Sequence, residues 1–421
     1  MDLPRGMRDF GAEDEAGIEQ VRSAFLRTAS LYGFEHVEPS PIESIQALEA
    51  KSGPAIRDEI YHFQDKGGRD VGLRFDLTVG MTRRIAASKS APLPAKMSSF
   101  GGVYRYDEPQ KGRYRYFHQW DVEIYGRPSS ESDAEVIELT SRLLDSLRLR
   151  GVTIEVSHRG LVESRVSQII GSGDPAKVSD MLRAMDKSSK KPRDEILREF
   201  EEYGADAVGA VLDLAAMRGP LDDVRGSVAP GSPAWDELAG VFASLENRGV
   251  TNAVVNLGIV RGLDYYTGIV FEAFAEGSGV GALAGGGRYD SLPGAFGRGD
   301  IGAAGAAGGV ERIMLAMRAQ GADGPRGPAR VSVVYASPEV QKVAVSITSM
   351  LRLAGIHADV DLAGRGMRKQ MERAGSSRLA LIVGPDELRE GNVLLRDMAA
   401  GTEGTVPLER LSEDPRAVLS S

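Results

Sequence analysis

Hydrophobic residues recur at helical spacing near the start of the chain. Between residues 14 and 32 the apolar positions follow one another mostly at intervals of three and four, which places them on one face of a predicted helix. That face comprises Ile18, Val21, Phe25, Leu26 and Ala29. Gly33 follows directly, where a residue in the left-handed conformation commonly ends a helix. The segment is therefore predicted to be an amphipathic helix.

Alternating apolar and polar residues predict strands in the segments that follow. In LRFDLT (residues 73–78) the apolar residues occupy every second position. Because successive side chains of a strand point to opposite faces, Arg74, Asp76 and Thr78 are predicted to share a polar face. YFHQWDVEIY (residues 116–125) alternates in the same way. One of its predicted faces carries Phe117, Gln119, Asp121, Glu123 and Tyr125.

A basic loop precedes the second of these strands. VYRYDE (residues 103–108) also alternates, and PQKGRYR (residues 109–115) follows it. The proline and glycine of this connection favour a turn. Its cations are Lys111, Arg113 and Arg115. The pattern predicts an antiparallel hairpin with a positively charged tip.

The rest of the chain divides into segments with different predicted secondary structure. Residues 161–240 contain several amphipathic helical stretches separated by glycine and proline, so a helical module is predicted to interrupt a β-rich domain that resumes over residues 241–322. A glycine- and proline-rich linker follows. Residues 330–421 alternate between predicted strands and helices, which indicates a small α/β domain with a largely parallel sheet.

Composition limits the chemistry that this chain can perform. Its 421 residues include no cysteine, which excludes disulfides, cysteine zinc sites, iron–sulfur clusters and thiol nucleophiles. The five histidines show no H-x3-H or H-E-x-x-H spacing.

With 51 Lys+Arg against 60 Asp+Glu, the net charge is −9, so nucleic-acid binding is expected only at local basic surfaces. No apolar leader and no 18-residue apolar run occurs, and we expect a cytoplasmic protein without a membrane span.

One nucleotide-binding pattern is present but unconvincing. GSGVGA (residues 277–282) satisfies G-x-G-x-x-A, yet ALAGGGRYD follows it, and three consecutive glycines do not open the helix that would hold a pyrophosphate. The hairpin is the better candidate, because from Arg105 to Glu123 it offers a guanidinium, a basic loop, an aromatic ring, an amide and a carboxylate. Such groups suit a phosphate, a purine and a small polar ligand side by side.

Each candidate segment also has a purely structural interpretation. The polar residues of LRFDLT fit the solvated face of an edge strand. Arg261, which Tyr265 and Tyr266 follow, fits a surface arginine near core tyrosines. Arg312, where a glycine-rich turn is predicted to enter a helix, fits an ion-pair partner of Glu311 or a neighbour.

Taken together, the segments resemble the class II aminoacyl-tRNA synthetases, and within them the histidyl-tRNA synthetase family, over essentially the whole chain. FGGVYRYDEPQKGRYRYFHQWDVEIYG (residues 100–126) looks like the family's motif 2, and VRGLDYYTGIVFE with GGGRYD resembles its two histidine-specific segments. Residues 14–43 resemble motif 1 more loosely, with Pro41 at the expected dimer interface. GAAGAAGGVERIML resembles motif 3, although alanines replace larger apolar residues there. Asp76 stands where bacterial relatives have glutamate, which looks like the archaeal or eukaryotic branch.

The resemblance implies an α+β fold. An antiparallel-sheet catalytic domain of the class II type would span residues 1–160 and 241–322, with a helical insertion over 161–240. Residues 330–421, which include GMRKQMERAGSSRLALIVGPDEL, resemble the family's anticodon-binding α/β domain.

The resemblance also implies how ATP would be bound. Arg105 would hold the α-phosphate and the histidine carboxylate, Arg261 would contact the other side of the α-phosphate, and Arg312 would contact the γ-phosphate; these three are the expected catalytic residues. Phe117 would stack against adenine. The expected ATP-binding residues are Arg105, Asp107, Arg113, Phe117, Arg261 and Arg312. Mg²⁺ would accompany the phosphates, near Asp107 and Glu108, with its ligands left open.

For histidine, the resemblance implies one contact for each functional group. Asp76 and Thr78 would take the α-ammonium, and Gln119 would help to fix the carboxylate end. Glu123 would accept the imidazole N–H while a hydroxyl of Tyr265 or Tyr266 meets the other nitrogen. The expected histidine-binding residues are Asp76, Thr78, Arg105, Gln119, Glu123, Arg261, Tyr265 and Tyr266.

The expected partners are L-histidine, tRNA(His) and a second copy of the chain in a homodimer. The basic loop and a basic helix near residue 368 would contact tRNA phosphates. The expected tRNA-binding residues are Gln110, Lys111, Arg113, Arg368 and Lys369. For single cations of this helix, a solvated face is an equally good interpretation.

Two other functions remain open at this point. A histidine-binding regulatory subunit of ATP phosphoribosyltransferase shares the catalytic fold without the activity, but it lacks a C-terminal domain of the anticodon-binding type. A synthetase-like protein that only binds tRNA would require loss of the phosphate-binding arginines, and Arg105, Arg261 and Arg312 are all present.

Overall fold

The computed structural model describes residues 2–106, 114–188, 190–225, 232–260, 265–322 and 331–420. They form two compact units, which divide between residues 324 and 325. Both units combine helices with sheets, and the α+β class expected from the sequence is confirmed.

The first unit is built on a nine-stranded sheet and a small three-stranded sheet. Its strands are β1 (Glu35–His36), β2 (Ile42–Ser44), β3 (His62–Gln64), β4 (Asp70–Leu73), β5 (Ala95–Tyr104), β6 (Tyr116–Gly126), β7 (Val152–His158), β8 (Arg218–Gly219), β9 (Ala253–Asn256), β10 (Ile269–Ala275), β11 (Ala284–Arg288) and β12 (Gly302–Gly309). The large sheet has the order β1-β5-β6-β12-β11-β10-β7-β9-β8 and the small one β2-β4-β3. From β5 to β7 every neighbouring pair is antiparallel.

Helices of the first unit pack against this sheet or extend the chain between β7 and β9. They are α1 (Ala12–Leu31), α2 (Ile45–Ser52), α3 (Thr78–Ala87), α4 (Ser130–Ser146), α5 (Arg159–Ile170), α6 (Pro175–Lys187), α7 (Arg193–Glu199), α8 (Ala205–Ala215), α9 (Leu221–Arg225), α10 (Pro233–Asn247), α11 (Leu292–Ala295) and α12 (Val310–Ala319). Short 3₁₀ turns occupy Pro54–Glu59 and Glu201–Tyr203. The described residues between α5 and α10 are mostly helical, with β8 as a short strand, and their buried apolar side chains belong to the same core as those of α1 and α4.

Two local predictions for this unit are confirmed. Helix α1 buries Ile18, Val21 and Phe25 on the expected face, and Gly33 beyond its end has φ +75°. Strands β5 and β6 form the expected antiparallel hairpin, in a register that pairs Tyr104 with Tyr116. Both patterns are local, so spacing along the chain was enough to identify them.

The prediction that LRFDLT (residues 73–78) forms a strand is wrong. Strand β4 ends at Leu73, and Thr78 is already the first residue of α3. The Asp76 carboxylate explains the switch in part, because its Oδ1 accepts the backbone N–H of Val79 at 3.1 Å and satisfies a free donor in the first turn. Arg74, Asp76 and Thr78 are all buried, and they are not one solvated face.

The prediction of a glycine-rich turn before Arg312 is also wrong, because residues 302–309 form β12 between β6 and β11. Small residues are needed where these strands meet. A Cβ added to Gly286 in β11 would collide with the backbone oxygen of Gly305 in β12 and lie 2.8 Å from the Cα of Ala306. The alanines and glycines therefore allow close packing inside a sheet, which alternation of polar and apolar residues does not reveal.

The second unit is an α/β domain. Its strands are β13 (Val331–Tyr335), β14 (Ala358–Val360), β15 (Leu379–Val383), β16 (Asn392–Asp397) and β17 (Glu403–Pro407). Its helices are α13 (Gln341–Leu353), α14 (Met367–Ala374), α15 (Pro385–Arg389), α16 (Leu408–Glu413) and α17 (Pro415–Ser420), with a 3₁₀ turn at Pro338–Val340. The sheet order is β14-β13-β15-β16-β17; the first three strands are parallel as expected, and the last two are antiparallel.

Within the described ranges of the chain, no helix is both long enough and apolar enough to cross a membrane.

Candidate active site

A cleft of about 330 Å³ opens in the first unit beside β6 and β12. Several residues singled out from the sequence line it together: Arg105, Phe117, Gln119, Tyr265, Tyr266 and Arg312. Glycines 285, 286 and 309 contribute backbone to its wall. A cleft lined by two guanidiniums, a phenyl ring and glycine backbone suits a phosphorylated ligand with an aromatic base.

Arg105 follows β5, at the point where the hairpin leaves the sheet. Its Nε donates to the carbonyl of Phe75 at 3.1 Å, and its guanidinium carbon lies 5.1 Å from the centroid of the Phe117 ring. Its backbone N–H donates to the carbonyl of Arg115 at 2.9 Å, which closes the base of the hairpin. The guanidinium is thus oriented by both neighbouring segments before any ligand arrives.

Arg312 lies in the first turn of α12. Its Nη1 donates to the carbonyl of Ala282 at 2.8 Å, so the side chain reaches across to the segment before β11. Glu311, which the sequence offered as an ion-pair partner, points elsewhere: both of its carboxylate oxygens accept the backbone N–H of His118 at 3.0 Å. The two neighbours on α12 therefore fix two different parts of the cleft.

Behind the cleft lies a group of buried carboxylates. Asp76 is paired with Lys51 of α2, whose Nζ lies 2.6 Å from Asp76 Oδ2 and 4.4 Å from the centroid of the Tyr265 ring. The Lys51 side chain is 9% exposed. Burial acts to lower the pKa of Lys51, but the Asp76 carboxylate, with smaller contributions from Tyr266 and Asp121, raises that pKa above its usual value. An ammonium is thus stable at this position.

Strand β6 contributes Asp121 to the same group. Thr78 Oγ1 donates to Asp121 Oδ2 at 3.1 Å, so the first residue of α3 is tied to the sheet. Burial, together with the Glu123 and Asp76 carboxylates, raises the pKa of Asp121 well above its usual value. The Asp121 and Glu123 carboxyl groups are also hydrogen-bonded to each other. Within the described residues, the Oε1 of Gln119 on the same strand face receives no hydrogen bond.

Glu123 is the deepest of the predicted site residues on β6. It is 1% exposed and accepts a hydrogen bond from the hydroxyl of Tyr289, which is buried to the same degree. Burial raises the pKa of Glu123 to about 7, although the Tyr289 hydroxyl and the Lys51 ammonium act to lower it. A carboxyl group that titrates near neutrality changes from a hydrogen-bond donor to an acceptor within the physiological pH range.

Tyr265 and Tyr266 connect the cleft with the buried carboxylates. Their ring centroids are 4.1 Å apart, and the Tyr265 ring lies 5.5 Å from that of Tyr289. Burial raises the pKa of both hydroxyls well above the usual value, so each remains a hydrogen-bond donor. The arrangement suits a small ring with one nitrogen facing a carboxyl group and the other a phenol.

The other predicted site residues fall into two groups. Asp107, Glu108, Gln110, Lys111, Arg113 and Arg261 lie outside the described residues. Arg368 and Lys369 lie on α14 of the second unit, where both are exposed and Arg368 pairs with Glu372 at 3.4 Å. Among the described residues, no three acidic or histidine side chains gather into a group that could hold a metal ion.

Three residues of the buried group, Lys51, Asp121 and Tyr289, have no role that the sequence indicated. Asp121 was placed on the correct face by the alternation of β6, but nothing distinguished it from a structural carboxylate. Lys51 and Tyr289 reach the group from α2 and from the segment after β11. Lys51 is followed by Ser-Gly at the end of a helix, and nothing in the neighbouring sequence indicates that it is buried. Its partner Asp76 is 25 residues away.

Comparison with family models divides the chain as its structure does. Residues 6–313 match the model described as "Histidyl-tRNA synthetase". Residues 330–414 match the model described as "Anticodon binding domain".

Individual relatives agree with these matches over the whole length. The chain is 34% identical to a histidine--tRNA ligase of Pyrococcus abyssi, with 99% of each chain covered, and 35% identical to one of Pyrobaculum calidifontis, with 96% of each covered. Among solved structures, a histidyl-tRNA synthetase from Nostoc sp. PCC 7120 superimposes with a TM-score of 0.83 at 24% identity, covering 99% of both chains. At that identity the superposition establishes a shared fold.

Proposed function

Because this chain belongs to the histidyl-tRNA synthetase family, we propose that it is a histidine--tRNA ligase, which activates L-histidine with ATP and transfers it to the 3′ end of tRNA(His). The observation that carries the proposal is the juxtaposition of a cationic cleft with a buried acidic and phenolic group. Arg105 and Arg312 line the first, and Glu123 belongs to the second. Gln119, Tyr265 and Tyr266 lie where the two meet.

The acidic end suits the imidazole ring. Glu123, once ionised, accepts one ring N–H, and a hydroxyl of Tyr265 or Tyr266 donates to the other nitrogen. An analogue without these nitrogens would leave buried polar groups unpaired, which disfavours it by about 10⁴ or more. The chain's own polar groups would thus select histidine at the first step.

The cationic end suits ATP. Phe117 would stack against adenine, Arg312 would hold the γ-phosphate, and Arg105 the α-phosphate together with the histidine carboxylate. Arg261, Asp107 and Arg113 belong to the same proposed set and lie outside the described residues. Bringing carboxylate and phosphate to one guanidinium converts an encounter of two molecules into a reaction within one complex.

The proposed reaction has two steps. A histidine carboxylate oxygen attacks the α-phosphorus, a P–O bond forms, and the bond to the bridging oxygen breaks as pyrophosphate leaves with its electron pair. Arg105 and Arg312 stabilise negative charge that shifts along the triphosphate. The terminal hydroxyl of tRNA then attacks the histidyl carbonyl to form an ester bond, the bond from the carbonyl carbon to the phosphate oxygen breaks, and AMP leaves with that electron pair while the hydroxyl proton passes to the released phosphate or to solvent.

Magnesium would arrive with ATP, since Mg²⁺ in such sites is held mainly by substrate phosphates and one or two carboxylates. Glu272 supplies a carboxylate in the wall of the cleft and fits that role. The ion would neutralise charge on the leaving pyrophosphate.

Contacts with tRNA and with a second copy complete the proposal. Gln110, Lys111 and Arg113 would contact the acceptor end, and Arg368 and Lys369 on α14 would contact the anticodon region; the match of residues 330–414 supports the latter assignment. A homodimer and a cytoplasmic location are part of the proposal as properties expected of such an enzyme.

A histidine-binding regulatory subunit of ATP phosphoribosyltransferase is the less supported alternative. The identity of 34% over the full chain with a named ligase and the anticodon-binding match both favour the enzyme.

Charging of tRNA tests the proposal. The full chain, unfractionated tRNA, ATP and labelled histidine should give histidyl-tRNA, and Arg105→Gln should reduce the rate by about 10²–10³. Arg69→Gln, which alters an exposed arginine paired with Asp65, is the matched control and should leave the rate unchanged. Histidine binding without charging would favour the regulatory subunit.

A further inference from the structure

The segment that precedes α1 lies against the start of β6. It comprises residues 4–10, and we call it the N-terminal segment. The carbonyl of Gly6 accepts the backbone N–H of Arg115 at 3.1 Å, and the carbonyl of Arg5 accepts a hydrogen bond from Arg115 Nη1 at 3.2 Å. The Arg115 carbonyl in turn accepts the backbone N–H of Arg105 at 2.9 Å. A continuous set of hydrogen bonds therefore runs from the N-terminal segment to a residue of the cleft.

Gly6 has no room for a side chain. It lies in a turn that the Met7 N–H closes by donating to the carbonyl of Pro4 at 3.0 Å, and its φ is +83°. A positive φ at this position of a turn favours glycine. A Cβ added to Gly6 would lie 2.6 Å from Arg115 Cδ and 2.8 Å from its Cγ, so a larger residue would displace that side chain. The Arg115 guanidinium carbon lies 3.9 Å from the centroid of the Tyr106 ring, and this contact would be disturbed as well.

Two further side chains of the N-terminal segment pack beside β6. The Arg8 guanidinium carbon lies 4.4 Å from the centroid of the Phe10 ring and 4.1 Å from that of Tyr114. A cation close to two rings is attracted by the π-electrons of both. The Phe10 ring makes edge contacts with Tyr116 and His118, at centroid distances of 5.8 and 5.3 Å. The segment thus contacts the chain where it enters β6.

Phe117 lies between two residues that the N-terminal segment contacts. Because side chains alternate along a strand, Tyr116 and His118 face the segment while Phe117 lines the cleft. Arg105 is also anchored from another side, since its Nε donates to the carbonyl of Phe75 at 3.1 Å. A change in the segment should therefore affect the Phe117 ring more than the Arg105 guanidinium.

We propose that Gly6, Arg8 and Phe10 are positioning residues for the adenine of ATP, because they hold the start of β6 so that the Phe117 ring is fixed at the cleft. The inference rests on the proposed function and gives the N-terminal segment a part in it. All three residues lie outside the lining of the cleft, so they act through β6. A ring that is fixed before ATP arrives loses less conformational freedom when the base binds.

Three ligands distinguish this role from a general loss of structure. ATP carries the base and the phosphates, adenosine keeps the base, and tripolyphosphate keeps the phosphates. The KM for ATP and the inhibition constants of the other two are measured in histidine-dependent pyrophosphate exchange with the full chain. Arg312, the proposed γ-phosphate contact, donates to the carbonyl of Ala282 at 2.8 Å, and substitutions in the N-terminal segment leave that bond in place.

We expect Gly6→Ala to raise the KM for ATP and the inhibition constant of adenosine about 3–10-fold, and to change that of tripolyphosphate less than about twofold. Gly33→Ala is the matched control. Gly33 has φ +75°, but a Cβ there would meet nothing within 4 Å, so the same backbone strain without the contact should change none of the three constants. Equal weakening of all three ligands, or an unchanged KM for ATP, would overturn the proposal.

Arg8→Gln tests the same role if the Gly6→Ala variant folds poorly. It removes the cation from the Phe10 and Tyr114 rings and should give the same ranking of ligands, with a rise in the KM for ATP of about 2–5-fold. Arg22→Gln, which alters an exposed arginine of α1 paired with Glu19, is its control and should change none of the constants. Equal KM values for ATP in the two variants would contradict the role of Arg8.

The outcome is separable from the proposed function. A wild-type chain without histidine-dependent exchange would contradict the function and this role together. A wild-type chain that charges tRNA, beside a Gly6→Ala variant with an unchanged KM for ATP, would contradict this role alone.

Discussion

The backbone N–H of His118 lies 3.0 Å from both carboxylate oxygens of Glu311. The bond joins β6 to the first turn of α12 across 193 positions of sequence. Phe117 and Gln119 flank His118, and Arg312 follows Glu311, so the bond fixes the distance between the proposed adenine and γ-phosphate contacts.

We expect loss of the Glu311 carboxylate charge to weaken ATP binding. Glu311→Gln replaces a charge-assisted hydrogen bond by a weaker neutral one, and we expect the KM for ATP to rise about threefold to tenfold. The KM for histidine should change less than twofold, since the buried carboxylates are not touched. Steady-state pyrophosphate exchange measures both, and Glu409→Gln at an exposed first-turn position of α16 is the control. Equal rises in both KM values would contradict the role.

Tyr289 tunes the carboxyl group that is proposed to receive the imidazole. Its hydroxyl donates to Glu123 and lowers the pKa of that group. Tyr289→Phe should therefore move the acid limb of the pH profile for histidine binding to higher pH, with about tenfold weaker binding at pH 7. Tyr203→Phe removes a comparable hydroxyl, which donates to Asp180 at 2.6 Å in the helical segment, and should leave the profile in place.

Histidine affinity should rise with pH between 6 and 8. The pKa of Glu123 is raised to about 7 by burial, and the ionised form is the one that accepts a ring N–H. Below pH 7 affinity should fall by up to about tenfold per pH unit. Glu123→Gln should retain only the part of this slope that comes from the ring of free histidine. An unchanged slope would show that Glu123 does not titrate in the site.

The free energy of unfolding should fall as pH rises, in contrast to histidine affinity. The folded chain keeps the Glu123 proton to higher pH than the unfolded chain, whose ordinary value is 4.5. The contribution of this group is thus fully present below pH 4.5 and is lost as pH rises through about 7, by up to about 3 kcal/mol. Thermal midpoints of the wild type relative to Glu123→Gln should therefore fall between pH 5 and pH 7.5.

Lys51 is expected to stabilise the fold. Lys51→Met leaves the buried Asp76 carboxylate without its cation, and removal of one partner of a buried ion pair costs about 3–5 kcal/mol. Thermal unfolding of the first unit should shift downwards by several degrees. Lys89→Met, at an exposed position after α3, is the control. Similar melting of the two variants would mean that the Lys51–Asp76 pair contributes little.

Local patterns predicted the parts of the structure that local forces determine. The alternation of residues 116–125 placed Phe117, Gln119 and Glu123 on one face, and β6 has that geometry because it is a regular strand inside a sheet. The same kind of alternation gave a wrong prediction at residues 73–78, where the Asp76 carboxylate accepts the backbone N–H of Val79 and the chain turns into α3. In a short segment, a carboxylate that bonds to the first turn of a helix cannot be distinguished from one on a strand.

Long-range contacts could not be predicted in the same way. The pairing of Lys51 with Asp76, of Thr78 with Asp121 and of Tyr289 with Glu123 joins segments that are 25, 43 and 166 positions apart. Family resemblance supplied the expected roles of site residues, but it did not indicate which oxygens the fold leaves without donors. That information comes only from the packed structure.

Amino-acid-dependent exchange of pyrophosphate into ATP measures whether the chain forms histidyl-adenylate. The full chain with Mg²⁺ and no tRNA is incubated with each of the twenty amino acids in turn. We expect exchange with histidine alone, and a loss of that exchange by orders of magnitude in Arg105→Gln with the fold preserved. Exchange with a different amino acid, or no exchange despite histidine binding, would contradict the proposed function.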